Sequence, residues 1–203
     1  TSRSILGFIL RAIASIFGSS FYDDGLTNFM ESGINSIEPN SKKFYFIHNE
    51  SPHPPYPENN CEIDHTKSYT GWISMEAYSF SISCALNATL SSINKILEID
   101  PSAIVVIQGD HGTSLNYDWM QNPSKIGKKD LKERFSIFNS IRISKRCDSI
   151  NSNSIGNVQT INLVFDCISN TKRGDLGNRS FAGVYEDNRE LFGRLYEVTD
   201  NLK

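Results

Sequence analysis

The sequence predicts an α/β fold organised on a largely parallel sheet, and three stretches carry that prediction. Residues 103–107, Ala-Ile-Val-Val-Ile, form an unbroken apolar run rich in β-branched side chains. Such a run is too short for a helix and lacks polar alternation, which fits a strand buried on both faces. Residues 43–48, Lys-Phe-Tyr-Phe-Ile-His, are a second buried-strand candidate. Between them, over residues 72–98, Ile82, Leu86, Leu90, Ile93 and Leu97 recur at helical spacing while Ser, Asn and Lys occupy the other positions. Strand, long crossover helix and strand make a βαβ unit, which is right-handed and sets the ends of both strands on one edge of the sheet.

The remaining elements are taken in chain order. Residues 1–42 read as a helical lead-in: an apolar helix over 4–17, carrying Ile5, Leu6, Phe8, Ile9, Leu10, Ile13, Ile16 and Phe17, then a turn at Asp23-Asp24-Gly25 and a weak helix through Phe29, Met30 and Ile34. The apolar helix falls short of the roughly 20 residues needed to cross a bilayer, so a core or docking role is expected of it. Residues 43–112 hold the βαβ unit. Within it Pro52, Pro54, Pro55 and Pro57 exclude helix and sheet over 49–60 and predict an extended, rigid loop. Residues 113–203 open with a polar loop to Lys132, whose basic stretch 125–132 reads as a solvated loop. A strand over 135–143, a helix over 157–168, a Gly- and Arg-bearing loop over 172–179 and short strands over 181–185 and 194–198 complete the chain.

At 203 residues the chain suits a single domain, and its net charge of -3 with a pI near 5.8 gives no general attraction to nucleic acid. The chemistry is expected at the end of the 103–107 run, where Gly109-Asp110-His111-Gly112 comes at once. Open α/β sheets bind ligands at the carboxyl ends of their strands, and the flanking glycines suit a tight turn there. His48 ends the other strand candidate. His53 sits between prolines, where an imidazole loses little entropy on engaging an anion or a metal; a plain surface histidine is the competing reading. The βαβ topology would let His48, His53, Asp110 and His111 converge, while His65 reads as a surface residue.

The four cysteines allow three connectivities, of which Cys61–Cys84 and Cys147–Cys167 close the shorter loops; buried free thiols are the alternative. Their spacing does not match a zinc knuckle. If both bonds form, the domain belongs outside the cytoplasm. Asn87-Ala-Thr89 and Asn178-Arg-Ser180 match the glycosylation pattern.

On residues 44–56 (Phe-Tyr-Phe-Ile-His-Asn-Glu-Ser-Pro-His-Pro-Pro-Tyr), the helix through Ile93 and Leu97, residues 104–112 ending Gly-Asp-His-Gly, Glu133-Arg134-Phe135-Ser136-Ile137 and Arg179-Ser180-Phe181, the chain resembles the sulfatase-like branch of the alkaline phosphatase superfamily. That resemblance implies a three-layer sandwich with a largely parallel sheet, incomplete in this chain. It implies Asp110 and His111 as ligands of one divalent metal, Zn²⁺ or Mn²⁺ first and Mg²⁺ or Ca²⁺ next. His53 would be the catalytic and substrate-binding residue that meets the transferred phosphoryl or sulfuryl oxygens, with His48 a weaker substrate-site candidate.

The expected activity is hydrolysis or transfer of a phosphoester or sulfate ester on a cell-surface lipid or glycan. The resemblance to the membrane-anchored members of the family implies an extracytoplasmic domain, with an anchor expected in segments outside this chain. The family's nucleophile and second acidic ligand precede the Pro-His-Pro loop by a long interval, and nothing in residues 1–43 supplies them. The chain is therefore expected to be the carboxyl-terminal half of the catalytic domain, inactive without its amino-terminal partner segment. The alternative is a sulfatase-like domain without activity, serving as a binding or structural module in surface polysaccharide assembly.

Overall fold

A computed structural model of the chain describes residues 25–39, 43–54, 56–58, 60–62, 75–115, 121–143, 156–171, 177, 179–183 and 193–202. The chain divides into two compact units, Thr1–Pro101 and Ser102–Lys203.

In the first unit helix α1 (Gly25–Asn28) runs on into a π-helical turn, Phe29–Gly33, and a 3-10 turn, Ile34–Ser36. The end of this segment is capped from residues 43–45. Lys43 Nζ and Tyr45 Oη both donate to the Ser36 carbonyl at 2.9 Å, and the Tyr45 ring stands edge-on to Phe29 with centroids 5.3 Å apart. A helix end leaves its last carbonyls without intrahelical donors, and these side chains supply them. The stretch expected to be a buried strand is thus spent on a helix end. Residues 43–50 form neither strand nor helix, and Phe44 and Phe46 are 85% and 71% exposed.

Helix α2 spans Met75–Ile99, as the apolar periodicity predicts, and stops before Asp100-Pro101. The face it buries is a different one. Ser81, Cys84 and Ser92 are buried, whereas Leu90 is 55% exposed and Ile82, Leu86, Ile93 and Leu97 are half-buried. The reason is covalent: Cys84 is bonded to Cys61 across 23 residues, which turns this small-residue face toward the segment after the proline loop. A buried hydroxyl in a helix needs an acceptor, and Ser92 finds one in the Ala88 carbonyl, 2.9 Å away. Ser81 Oγ is wholly buried and has no hydrogen-bond partner among the described residues. Ser81→Ala is therefore expected to raise stability by about 1 kcal/mol, since it removes a desolvated hydroxyl and improves helix propensity. A thermal melt of the variant at or below the wild-type midpoint would contradict this.

Tyr56, in the proline loop, is buried at 4% exposure. Burial lifts its phenol above the ordinary value, and the neighbouring Tyr78 phenol adds to the rise. The folded protein thus holds this proton where the unfolded chain releases it. The stability Tyr56 contributes is whole below pH of about 10 and is lost as pH rises through the folded value. Melts across this alkaline range should fall more steeply for wild type than for Tyr56→Phe. Parallel curves would remove the assignment.

The second unit holds two short sheets. Strand β1 (Val105–Gln108) pairs antiparallel with β2 (Asn139–Arg142), in the register Val105 opposite Arg142 and Gln108 opposite Asn139. Strand β3 (Phe181–Gly183) pairs antiparallel with β4 (Leu195–Glu197). Helix α3 (Lys128–Phe135) and helix α4 (Asn157–Ser169) lie between them in sequence. The core centres on Leu131 of α3, 2% exposed, and Val198, 4% exposed, where α3 meets the 3-10 turn Thr199–Asn201.

These elements overturn the expected sandwich. About half of the described residues are helical, and the sheets are two antiparallel pairs; a large parallel sheet is absent among the described residues. The apolar run does become β1, but all its residues are half-buried. Its hydrogen-bonding partner is the later strand over 139–142, which the alternating pattern of residues 135–143 announces. The basic stretch read as a loop is in part helix α3. Asp130 in its first turn and Lys132 and Arg134 in its last complement the helix dipole, and the single apolar anchor Leu131 replaces the missing apolar stripe. Among the described residues no helix is long and apolar enough to cross a membrane. The helix expected over 4–17 lies outside the described residues.

A candidate metal half-site at the end of strand β1

The residues after β1 are clamped from two sides. On one side the first turn of α4 holds the strand end. Asn157 Nδ2 donates to the Gly109 carbonyl at 3.1 Å, Gln108 Nε2 donates to the Asn157 carbonyl at 3.2 Å, and the buried Thr160 Oγ1 accepts from Asn139 Nδ2 at 2.6 Å. The Gly109 N–H donates to the Phe138 carbonyl at 2.8 Å, which closes the ladder with β2.

On the other side the carboxyl end of α3 grips residues 112–115. The Gly112 N–H donates to the Arg134 carbonyl at 2.6 Å. Glu133 Oε1 accepts from Thr113 Oγ1 at 2.5 Å and from the Leu115 N–H at 2.9 Å. Asp110 and His111 are the two residues left between the clamps.

Their side chains face one another. His111 Nε2 stands 3.5 Å from Asp110 Oδ2, and the His111 N–H donates to Asp110 Oδ1 at 3.0 Å. The imidazole is 29% exposed and the carboxylate 85%. His111 Nδ1 lies 2.9 Å from the Gly112 carbonyl and 2.9 Å from Arg134 Nη1, and Arg134 Nη1 also donates to that carbonyl at 3.1 Å. Two donors about 2 Å from a single ion lie roughly 3 to 3.5 Å apart, so the Asp110–His111 spacing fits adjacent positions on one metal. Among the described residues no group of three or more His, Cys, Asp and Glu side chains could hold an ion.

Asp110 and His111, neighbours in sequence, have side chains that face one another. His48 and His53 belong to the first unit and are both exposed. His53 closes a turn, its N–H donating to the Glu50 carbonyl at 2.8 Å, so the proline loop is bent there and not extended. The Cys61–Cys84 bond forms as the shorter-loop pairing requires. Cys167 is also in a disulfide, while Cys147, its expected partner, lies outside the described residues, as do His65 and Asn178. Asn87 stands exposed on α2.

The residues that sequence reasoning missed are Glu133, Arg134 and Asn157. Glu133-Arg134 stands out in the sequence only as an ordered landmark, and Asn157 as a helix start. Their roles depend on chain reversals that pattern alone does not encode. No family model, curated protein or solved structure matches this chain.

Proposed function

We propose that this chain contributes part of the metal site of an enzyme that hydrolyses or transfers a phosphoester or sulfate ester, with a cell-surface lipid or glycan as substrate. The observation that carries the reading is the 3.5 Å separation of Asp110 Oδ2 and His111 Nε2 on a strand end clamped from both sides. A bound Zn²⁺ or Mn²⁺ would supply Lewis-acid polarisation of the ester oxygens. Asp110 would hold it through a carboxylate oxygen and His111 through Nε2. Nδ1 would then carry the ring proton toward the Gly112 carbonyl, 2.9 Å away, a backbone partner that would orient a ligating imidazole. The nucleophile and the other ligands would come from a partner segment outside this chain. The proposal sets the chain outside the cytoplasm, where a disulfide such as Cys61–Cys84 persists.

The test is titration of the full chain with MnCl₂ and ZnCl₂. Asp110→Asn and His111→Ala should each weaken binding by roughly tenfold or more, as loss of one ligand from a small set implies. Affinities unchanged in both variants would end the metal reading and favour a binding or structural module.

A further inference from the structure

We propose that one flank of α3, with the turn before it, is a docking surface for a bilayer of anionic lipids. Half of the residues 125–132 are lysine, in a chain whose net charge is -3. The structure sets them on a fixed frame. Asn122 Oδ1 accepts from the Ser124 N–H at 3.0 Å and from Ser124 Oγ at 2.8 Å, the Lys125 N–H donates to the Asn122 carbonyl at 2.8 Å, and the buried Leu131 anchors α3. Lys125, Lys128, Lys129 and Lys132 are all exposed on that frame.

At the period of an α-helix, Lys128, Lys129 and Lys132 fall within an arc of about 100°. Asp130 and Arg134 fall on the other flank, where Arg134 meets His111. The acids of α3 have roles within the unit. Glu133 accepts from Thr113 and Leu115, and Asp130 Oδ2 lies against the helix start, 3.2 Å from where a Cβ on Gly127 would stand. Lys128 and Lys129 are the first two residues of the helix, where its dipole disfavours cations. Helix stability gives no reason to put lysines there, whereas an anionic partner does.

The chemistry of this flank selects a bilayer over nucleic acid. An ammonium is a point charge without the planar fork that reads single phosphates or carboxylates, so clustered lysines suit a diffuse negative field. Residues 121–132 hold no aromatic side chain on which a base could stack. Each lysine near an anionic leaflet is worth about fivefold in partition, and the attraction fades within a Debye length. Because the Asp110–His111 pair is met from the other flank of the helix, this surface stands apart from the metal reading.

The test is co-sedimentation of the full chain with lipid vesicles at low ionic strength. Wild type should bind vesicles of phosphatidylcholine and phosphatidylglycerol mixed at about two to one, should not bind phosphatidylcholine alone, and should be released by added NaCl. Lys128→Gln combined with Lys129→Gln should lower the partition by about 25-fold, the product of two lysines, while Lys128→Arg with Lys129→Arg should keep it. Lys95→Gln, at an exposed position on α2, should change nothing.

Equal sedimentation with the two kinds of vesicle, or full binding by the double glutamine variant, would overturn the proposal. So would retention of poly(U) by a chain that ignores anionic vesicles, the mark of a nucleic-acid surface. Vesicle binding by a chain that takes up no Mn²⁺ would leave this surface standing and remove the metal reading alone.

Discussion

Gly112→Ala is expected to destabilise the second unit by about 3 kcal/mol, the upper end of the usual range for overpacking. A Cβ at this position would collide with the Glu133 carbonyl oxygen, stand 2.6 Å from that of Ser136 and 3.2 Å from that of Arg134. All three are backbone atoms at the carboxyl end of α3, so no side-chain rotation relieves the contact. The Gly112 N–H is bonded to one of the same carbonyls, which fixes the approach. The glycine is thus required for space.

Gly109 supplies the control. A Cβ there meets nothing nearer than 3.7 Å, so Gly109→Ala should stay within about 0.5 kcal/mol of wild type, as substitutions away from close contacts do. Denaturant midpoints of the two variants measure the difference. Equal midpoints would mean that α3 and the Asp110–His111 segment are not in the close contact described. On the metal reading proposed above, Gly112→Ala, which displaces the carbonyl 2.9 Å from His111 Nδ1, should also weaken Mn²⁺ binding, and Gly109→Ala should not.

The contrast between these glycines shows what was legible in the sequence. Both are flanking residues in Gly-Asp-His-Gly, and a reading from pattern gives them one role, freedom to turn. Neither lies among the positive-φ glycines of the described residues, Gly177 and Gly193. Gly109 and Gly112 are told apart by a helix some 20 residues later in the chain, and one-dimensional pattern carries no such distance.

The same limit governs the fold. Periodicity located α2 and α4, and the apolar run located β1, because each signal arises within a single element. Strand pairing is a relation between elements, and the βαβ inference assigned β1 the wrong partner. Helix α3 escaped notice because its burial rests on Leu131 alone, where amphipathic reasoning needs a stripe. Asp110 and His111 face one another because adjacency in sequence ensures adjacency in space. No such adjacency announces Arg134, 23 residues on.

Breaking the Cys61–Cys84 bond, by Cys84→Ala or by reduction, is expected to cost the first unit about 3 kcal/mol, from the chain entropy of a loop of this length. The bond spans 23 residues and joins the segment after the proline loop to the buried face of α2. The surroundings bear on the size of the effect in two opposing ways. Cys61 is held at a φ of 63°, a left-handed conformation that costs a side-chain-bearing residue about 1 to 2 kcal/mol. Breaking the bond lets that strain relax, which trims the loss.

Local hydrogen bonds oppose the relaxation. The Cys61 N–H donates to the Glu58 carbonyl at 2.8 Å, the Glu58 N–H to the Glu62 carbonyl at 2.9 Å, and the Glu62 N–H to Asn60 Oδ1 at 3.1 Å. If these hold the turn without the covalent link, the full entropic loss should appear and amide exchange should quicken in α2 around Ser81 and Cys84 before it quickens at residues 58–62. If the turn exists only because the sulfur bond imposes it, exchange at 58–62 should rise first and the stability loss should be smaller. A denaturant midpoint unchanged by reduction would mean that the strain released matches the entropy regained, and Cys61 would then be the residue whose conformation the bond is there to hold.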